Sequence, residues 1–496
     1  MKSYKSLIAL LIIFILASTG ILATAYFDKN GSLSPDSADY LRLAQNLIDG
    51  HGYTVPAYYN IEKEKDFFAL WPIGYPTMIF VVAKICGLDV FWASKVVNIA
   101  FLGFCLGLLL LLFKESAYIY ALFFLCGSML SIFSHTWSEV PFIFGLLWLA
   151  FGTHSFWHTH KTVYLINIFL ATVFLFLNRY IGIFAIGVPA LLSLRYLRQN
   201  DMKNFWKLFA CFNGDLAIVV LYLLHNYIET GYMTGMQRLS PGESIGELVV
   251  KYGKTVLCEL NFIFRNQGDY KVLFTLTLFI QVAVAIYFAR QIKQNHKRIF
   301  TDTRLNPIGK TLFFIGMLYV VFLIVLRCFN DFDCFTYRFF APPFMLFYIV
   351  VVNHLEARYT QALFGKIRKV IIAFAIASFI INVPVDIYRT IWIAGGKTYG
   401  QTLDAVRKKY GALPEKSLVF FPDKHLKYIR PDIKVFSPDV YYYKHITLEN
   451  FMDIISRVPN QHIYLEMSDK IRPETFHPSL REFIYQHKHE QFIRIR

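Results

Sequence analysis

The chain has 496 residues, of which 56% are hydrophobic and 18% aromatic, and its formal net charge is +16. Apolar residues gathered into runs of about 17 or more with almost no charge exclude an ordinary soluble protein and suit a hydrocarbon layer roughly 30 Å thick. The positive charge does not indicate nucleic acid, because Lys and Arg crowd into short connections between the apolar runs, which is how membrane orientation is written.

The first apolar segment, residues 7–26, follows the basic start Met1-Lys2-Ser3-Tyr4-Lys5. It is longer than the apolar core of a signal peptide and many more segments follow, so a retained helix is expected. Residues 28–87 then form a first loop. Within it, Ser34-Pro35-Asp36 reads as a helix start, with a capping Ser, Pro in the first helical position and acids in the first turn. Leu41, Ala44, Leu47 and Ile48 continue it as a short amphipathic helix. Trp71-Pro72-Ile73-Gly74-Tyr75-Pro76 breaks a helix early. Only about ten residues then remain before Gly87, too few to cross, so an interfacial or re-entrant helix is expected.

Further spans are expected near residues 91–113, 117–134, 138–154, 163–178, 180–197, 205–224, 270–290, 309–327, 338–354 and 367–384, about eleven in all. With a cytoplasmic amino terminus, nearly every short basic connection falls on the cytoplasmic side. The outer face then collects residues 28–87, the 134–139 turn, Asn178-Arg179-Tyr180, residues 225–270 and 327–338, and the chain after about 385. From Gly396 the sequence turns polar. Residues 402–410 and 448–456 read as helices, and 417–421 and 462–465 as strands. The expected architecture is an all-α polytopic membrane domain over 1–384, followed by a small extramembrane α/β domain over 385–496.

Several polar residues on the expected outer face carry chemical options. Asp36 and Asp39 suit a helix N-terminus, and one of them also suits a general base that deprotonates a hydroxyl or amine. Glu139 opens a span in Ser138-Glu139-Val140-Pro141; it is either a helix-start acid or a second acid that positions an acceptor. Arg179, beside Tyr180, either snorkels to headgroups or holds a lipid phosphate. Arg338, beside Tyr337, is the stronger phosphate candidate, with an ion pair to Asp331 or Asp333 of its own turn as the rival. His51 and His135 stand alone, without a metal-ligand spacing; a divalent metal held by Asp and His from separate loops stays open, and no cofactor is expected. Cys328 and Cys334 are close enough in sequence to bridge in an oxidising compartment. The chain has no phosphate-binding glycine loop or dinucleotide fingerprint, and nucleotide chemistry has no support.

Together these pieces resemble the GT-C superfamily of integral-membrane glycosyltransferases, in particular the dolichyl-phosphate-mannose protein mannosyltransferases and their bacterial relatives. The likeness rests on Asp36-Ser37-Ala38-Asp39-Tyr40 with Ala44, Leu47 and Gly50, and on Trp71-Pro72-Ile73-Gly74-Tyr75-Pro76. It extends to Ser138-Glu139, Arg179-Tyr180, and Tyr337-Arg338 with Pro342, all in the family's order. It covers roughly residues 1–384. It implies that Asp36 is the catalytic base; Ser37 stands where many relatives have Glu, which leaves the share of Asp39 open. It also implies an inverting transfer from a polyprenyl-phosphate sugar, and an appendage that helps bind the acceptor.

The expected function is transfer of a sugar from a polyprenyl-phosphate donor to a glycan, lipid or protein acceptor of the cell envelope. The expected place is the outer, periplasmic face of the inner membrane. A polysaccharide polymerase or ligase is the first rival, and it would not need an acidic first loop. A lipid-linked-sugar flippase is the second, and it would carry mid-span charges or repeated halves with broken helices.

Overall fold

In hydrocarbon an apolar run of this length satisfies its backbone as helix. The structure, a computed structural model, describes residues 2–56, 63–235, 242–265, 270–295, 305–330, 332, 335–389, 391, 396–420, 422–436, 447–460, 462–466, 477–487 and 492–495. Asp331, Asp333 and Cys334 lie outside the described residues. Among the described residues nine helices are long and apolar enough to cross a membrane, from Tyr4–Phe27 to Gln361–Tyr388. The all-α polytopic expectation holds.

Two of the expected spans take a different form. Residues 117–134 divide into Ala117–Ala121, a tighter 3-10 turn Leu122–Leu125, and Gly127–Ser134, with extended backbone at Cys126. At the break a Cβ on Gly127 would stand 2.5 Å from the Asn382 side chain, which leaves no room for any other residue. Residues 119–134 are all buried, the condition under which irregular backbone is tolerated at membrane depth. Thr162–Asn178 has 17 residues, about 25 Å of helix. It packs along Glu139–Thr159 where Gly145 faces Leu175 and Gly152 faces Ile168.

The chain separates into two compact units: Met1–Ser32, Lys95–Leu224 and Gln237–Lys397 form the first, and Leu33–Ser94, His225–Met236 and Thr398–Arg496 the second. The expected boundary at 384/385 follows the order of the sequence, whereas the second unit draws the first loop together with the tail. In that unit Ser34 caps the Pro35–Ile48 helix through a reciprocal pair with Ser37. A two-strand antiparallel ribbon follows, β1 (Thr54–Pro56) with β2 (Lys65–Phe67). The Gly74–Cys86 helix has 13 residues, about 20 Å, short of the roughly 30 Å of hydrocarbon. Tyr40 packs edge-on against Tyr75, with ring centres 5.4 Å apart, and ties the two helices of the loop together.

The tail is a four-stranded sheet of β3 (Leu418–Phe420), β4 (Lys434–Phe436), β5 (Ile463–Glu466) and β6 (Phe492–Arg494), in the order β4-β3-β5-β6. β3 runs parallel to β4 and β5, and β6 closes one edge antiparallel. Alternation along β3 sends Leu418 and Phe420 into one apolar layer, with Phe451, Ile455 and Leu480, and Val419 into the other, with Val406, Tyr410 and Leu426. Both faces are therefore covered by helices, as a parallel sheet requires.

One packing contact bears on the site below. Arg179 is followed by a 3-10 segment, Tyr180–Ile186, and Gly182 donates its N–H to the Arg179 carbonyl at 2.7 Å. A Cβ on Gly182 would lie 2.3 Å from the Leu175 carbonyl, a backbone group that cannot swing aside. Gly182→Ala should therefore destabilise the protein by about 1–3 kcal/mol. Thermal unfolding of the detergent-purified protein checks this, and an unchanged midpoint would mean that the backbone relaxes freely.

Candidate functional site

In the first unit a buried carboxylate gathers two cations. Glu139 is wholly buried at the start of the Glu139–Thr159 helix. Its Oε1 accepts a hydrogen bond from Arg338 Nε at 2.6 Å and is ion-paired with Arg179 Nη1. Its Oε2 has no hydrogen-bond partner among the described residues. A lone buried carboxylate is costly, so the two guanidiniums account for the burial of Glu139 and Glu139 accounts for their convergence. Arg179 comes from the extended residue that ends Thr162–Asn178, and Arg338 from the first turn of Tyr337–Arg358. Aromatic faces support both: Arg338 lies 4.2 Å from the centre of Trp137, and Arg179 4.7 Å from that of Phe339.

The turn bearing Trp137 is pinned from below. Lys95 and Asn98, both fully buried, belong to the Val90–Phe113 helix. Lys95 Nζ donates to the Ser134 carbonyl at 2.7 Å and to Thr136 Oγ1 at 3.1 Å. Asn98 Nδ2 donates to the carbonyls of Phe133 and His135, each at 2.7 Å. His135 stacks on Trp137 with ring centres 4.0 Å apart, and its Nδ1–H donates to the Ser131 carbonyl at 2.7 Å. Loss of water around the imidazole pushes its pKa down to about 3. The Ser131 carbonyl opposes this, and the charges of Lys95, Arg265 and Arg338 add to it. Tyr337 and Ser131 pair through their hydroxyls at 3.1 Å, and Arg265 lies 4.0 Å from the centre of the Tyr337 ring. Tyr180 instead packs edge-on against Phe176 and Tyr222 in an apolar cluster.

The other two acids belong to the second unit. Asp36 is half-buried in the first turn of Pro35–Ile48. Asp39, one turn later, is buried and accepts from Lys427 Nζ at 2.7 Å. Arg42 on the same helix is 2% exposed and donates to the Ile433 carbonyl at 2.7 Å. His51 lies exposed just beyond the helix, and the described residues hold no group of three or more potential metal ligands.

The structure thus joins Glu139, Arg179 and Arg338, which were weighed separately from sequence, and sets Tyr337 beside them. Arg338 has Glu139, some two hundred residues away, as an acidic partner, while the rival partners Asp331 and Asp333 lie outside the described residues. Sequence reasoning missed Lys95, Asn98, Trp137, Arg265 and Lys427. Lys95 had one available signal, a charge inside an otherwise apolar helix.

No family model matches the chain, and no curated protein matches it. Solved structures do. The apo structure of ArnT from Cupriavidus metallidurans aligns with 96% of this chain and 94% of its own, at 10% identity and a TM-score of 0.56. The same protein bound to undecaprenyl phosphate covers 96% and 90%, at 11% identity and a TM-score of 0.53. The archaeal oligosaccharyltransferase AglB from Archaeoglobus fulgidus, in complex with an inhibitory peptide and a dolichol-phosphate, covers 94% and 70%, at 12% identity and a TM-score of 0.52. The chain therefore shares its fold with ArnT and AglB, in agreement with the polytopic helical membrane fold expected from sequence.

Two measurements test the cluster. Glu139→Gln leaves two guanidiniums facing a neutral amide and should cost about 3 kcal/mol, the low end for a broken buried pair, because both arginines keep some solvent. A variant that unfolds at the wild-type temperature would show that the arginines do not depend on the carboxylate. His135 should stay neutral from pH 8 down to about pH 4, because its folded pKa lies below the ordinary value. The stability this contributes is complete above about pH 6.5 and is lost as the pH falls toward 3. Histidine-selective NMR reads the charge directly, and a His135 resonance titrating near 6.5 would contradict the burial argument.

Proposed function

We propose that this chain is a membrane glycosyltransferase. It moves a sugar from a polyprenyl-phosphate donor to a cell-envelope acceptor, at the outer face of the cytoplasmic membrane, in a single inverting displacement. The observation that carries this reading is the Glu139–Arg179–Arg338 cluster. One buried carboxylate brings two guanidiniums together on an aromatic platform, and paired planar donors of this kind suit a lipid phosphate. A polyprenyl-phosphate sugar is a phosphodiester with one negative charge. When its bond to the sugar breaks, the departing monoester gains charge, so a fixed cation stabilises the leaving group more than the donor. Undecaprenyl phosphate bound to ArnT and dolichol-phosphate bound to AglB, two proteins of the same fold, support this choice of ligand.

Asp36 is the proposed base. It takes the proton from an acceptor hydroxyl or amine as that atom attacks the anomeric carbon, and the electron pair of the cleaved C–O bond leaves with the polyprenyl phosphate. Arg179 and Arg338 hold that phosphate. Glu139, expected from sequence as a helping acid, acts in this reading by aiming the two guanidiniums. Asp39 acts through its pair with Lys427, and Tyr337 braces the neighbouring arginine. Tyr180 keeps its place as the residue that follows Arg179 into the apolar cluster.

Membranes containing wild type, Asp36→Asn or Arg338→Ala at equal abundance, supplied with a panel of radiolabelled polyprenyl-phosphate sugars, test the proposal. Asp36→Asn should lower transfer by about 100-fold or more, the scale of a lost general base. Arg338→Ala should lower it on the order of 100-fold, the scale of a lost oxyanion-type donor. Equal transfer by wild type and Asp36→Asn would sink the assignment of the base.

A further inference from the structure

The connection from β3 to β4 runs beside the Pro35–Ile48 helix, and the two meet in register three times. Lys424 Nζ donates to the Leu33 carbonyl, just before the helix. Lys427 Nζ donates to Asp39 Oδ1 at 2.7 Å, with Lys427 4% and Asp39 8% exposed. Arg42 Nη2 donates to the carbonyls of Ile433 at 2.7 Å and Pro431 at 3.3 Å. As the helix advances from 33 through 39 to 42, the connection advances from 424 through 427 to 433. Asp36 lies between the first and second of these contacts, one turn from Asp39, where residues three apart share a face.

The connection is itself firmly held. His425 is fully buried, and its ring is paired with the Asp423 carboxylate. The Asp423 N–H donates to Tyr410 Oη at 2.8 Å. The hydroxyls of Tyr428 and Tyr399 pair at 2.7 Å, and the Tyr399 ring stacks on Phe91 at 3.8 Å. The connection thus grips the helix at three levels, each through a side-chain cation, two from the connection and one from the helix.

We propose that residues 424–433 are a clasp that fixes the rotation of the helix carrying Asp36, and that Lys427 is its central positioning residue. This rests on the reading of Asp36 as the base. The tail is then part of the catalytic machinery rather than only a module for acceptor binding. Without the Lys427 ammonium, Asp39 would be a buried carboxylate without its cation, and the helix would turn to rehydrate it, carrying Asp36 with it. A displacement of about 1 Å at a reacting group is enough to lower a rate on the order of 100-fold.

The test uses the full chain in membranes or detergent, with Lys427→Met, Lys427→Arg and the charge-swapped pair Asp39→Lys with Lys427→Asp. Hydrogen exchange of amides 35–48 reports the clasp without reference to activity. Lys427→Met should raise that exchange by about tenfold or more. It should lower kcat by about tenfold or more, with the KM for donor within about twofold of wild type. Lys427→Arg should recover most of both. Unchanged exchange, or raised exchange with an unchanged kcat, would overturn the proposal. Should Lys427→Met not fold, the charge-swapped pair decides: exchange restored toward wild type supports the clasp, and exchange that stays fast overturns it. If wild type transfers sugar from no donor, the proposed activity fails, while the exchange results still decide whether the clasp exists.

Discussion

A carboxylate with no access to water must meet positive charge, and the first unit places its polar residues to satisfy that need. Glu139 meets it with two arginines drawn from separate helices, so the ends of Thr162–Asn178 and Tyr337–Arg358 and the start of Glu139–Thr159 are fixed against one another. Breaking such a pair costs more than making it gains, so its worth lies in specifying one arrangement of three helices. The aromatic faces of Trp137 and Phe339 then set the planes of the two guanidiniums. Lys95 and Asn98 in turn set the backbone that presents Trp137. Glu139, Lys95 and Asn98 are polar and fully buried, and each would be costly alone.

The second unit solves a different problem. A first loop of short elements, a 14-residue helix, a two-strand ribbon and a 13-residue helix, has little core of its own. It gains order by sharing a unit with an α/β sheet whose two faces are both covered. The cations that join them, Lys424, Lys427 and Arg42, are long side chains with buried stems, and they spend their charge on carbonyls and one carboxylate.

Much of this was legible in the sequence. Apolar runs gave the helices because a hydrocarbon environment leaves the backbone few alternatives. Ser34-Pro35 marked a helix start because capping is local chemistry, and short runs rich in apolar and aromatic residues marked β3 and β5 for the same reason. The break at Cys126–Gly127 was not legible, since Asn382, which packs against Gly127 there, is more than two hundred residues away. The pairing of Arg338 with Glu139 was not legible either, since the two stand 199 residues apart. The same holds for Lys427, whose sequence context is an ordinary basic stretch. Residue type disclosed which groups could do chemistry, and long-range pairing decided which of them meet.

The contact between Asp39 and Lys427 spans 388 residues of chain. During synthesis at about 5–20 residues per second, the acid emerges some 20–80 s before its cation. Through that interval the first loop exists without the partner that neutralises its buried carboxylate, and every helix of the first unit is made before the loop can close. The first loop can therefore pair its acid only after the β3–β4 connection has been made. A chain cut short at its carboxy terminus would keep its membrane helices and yet leave its amino-terminal loop unfinished.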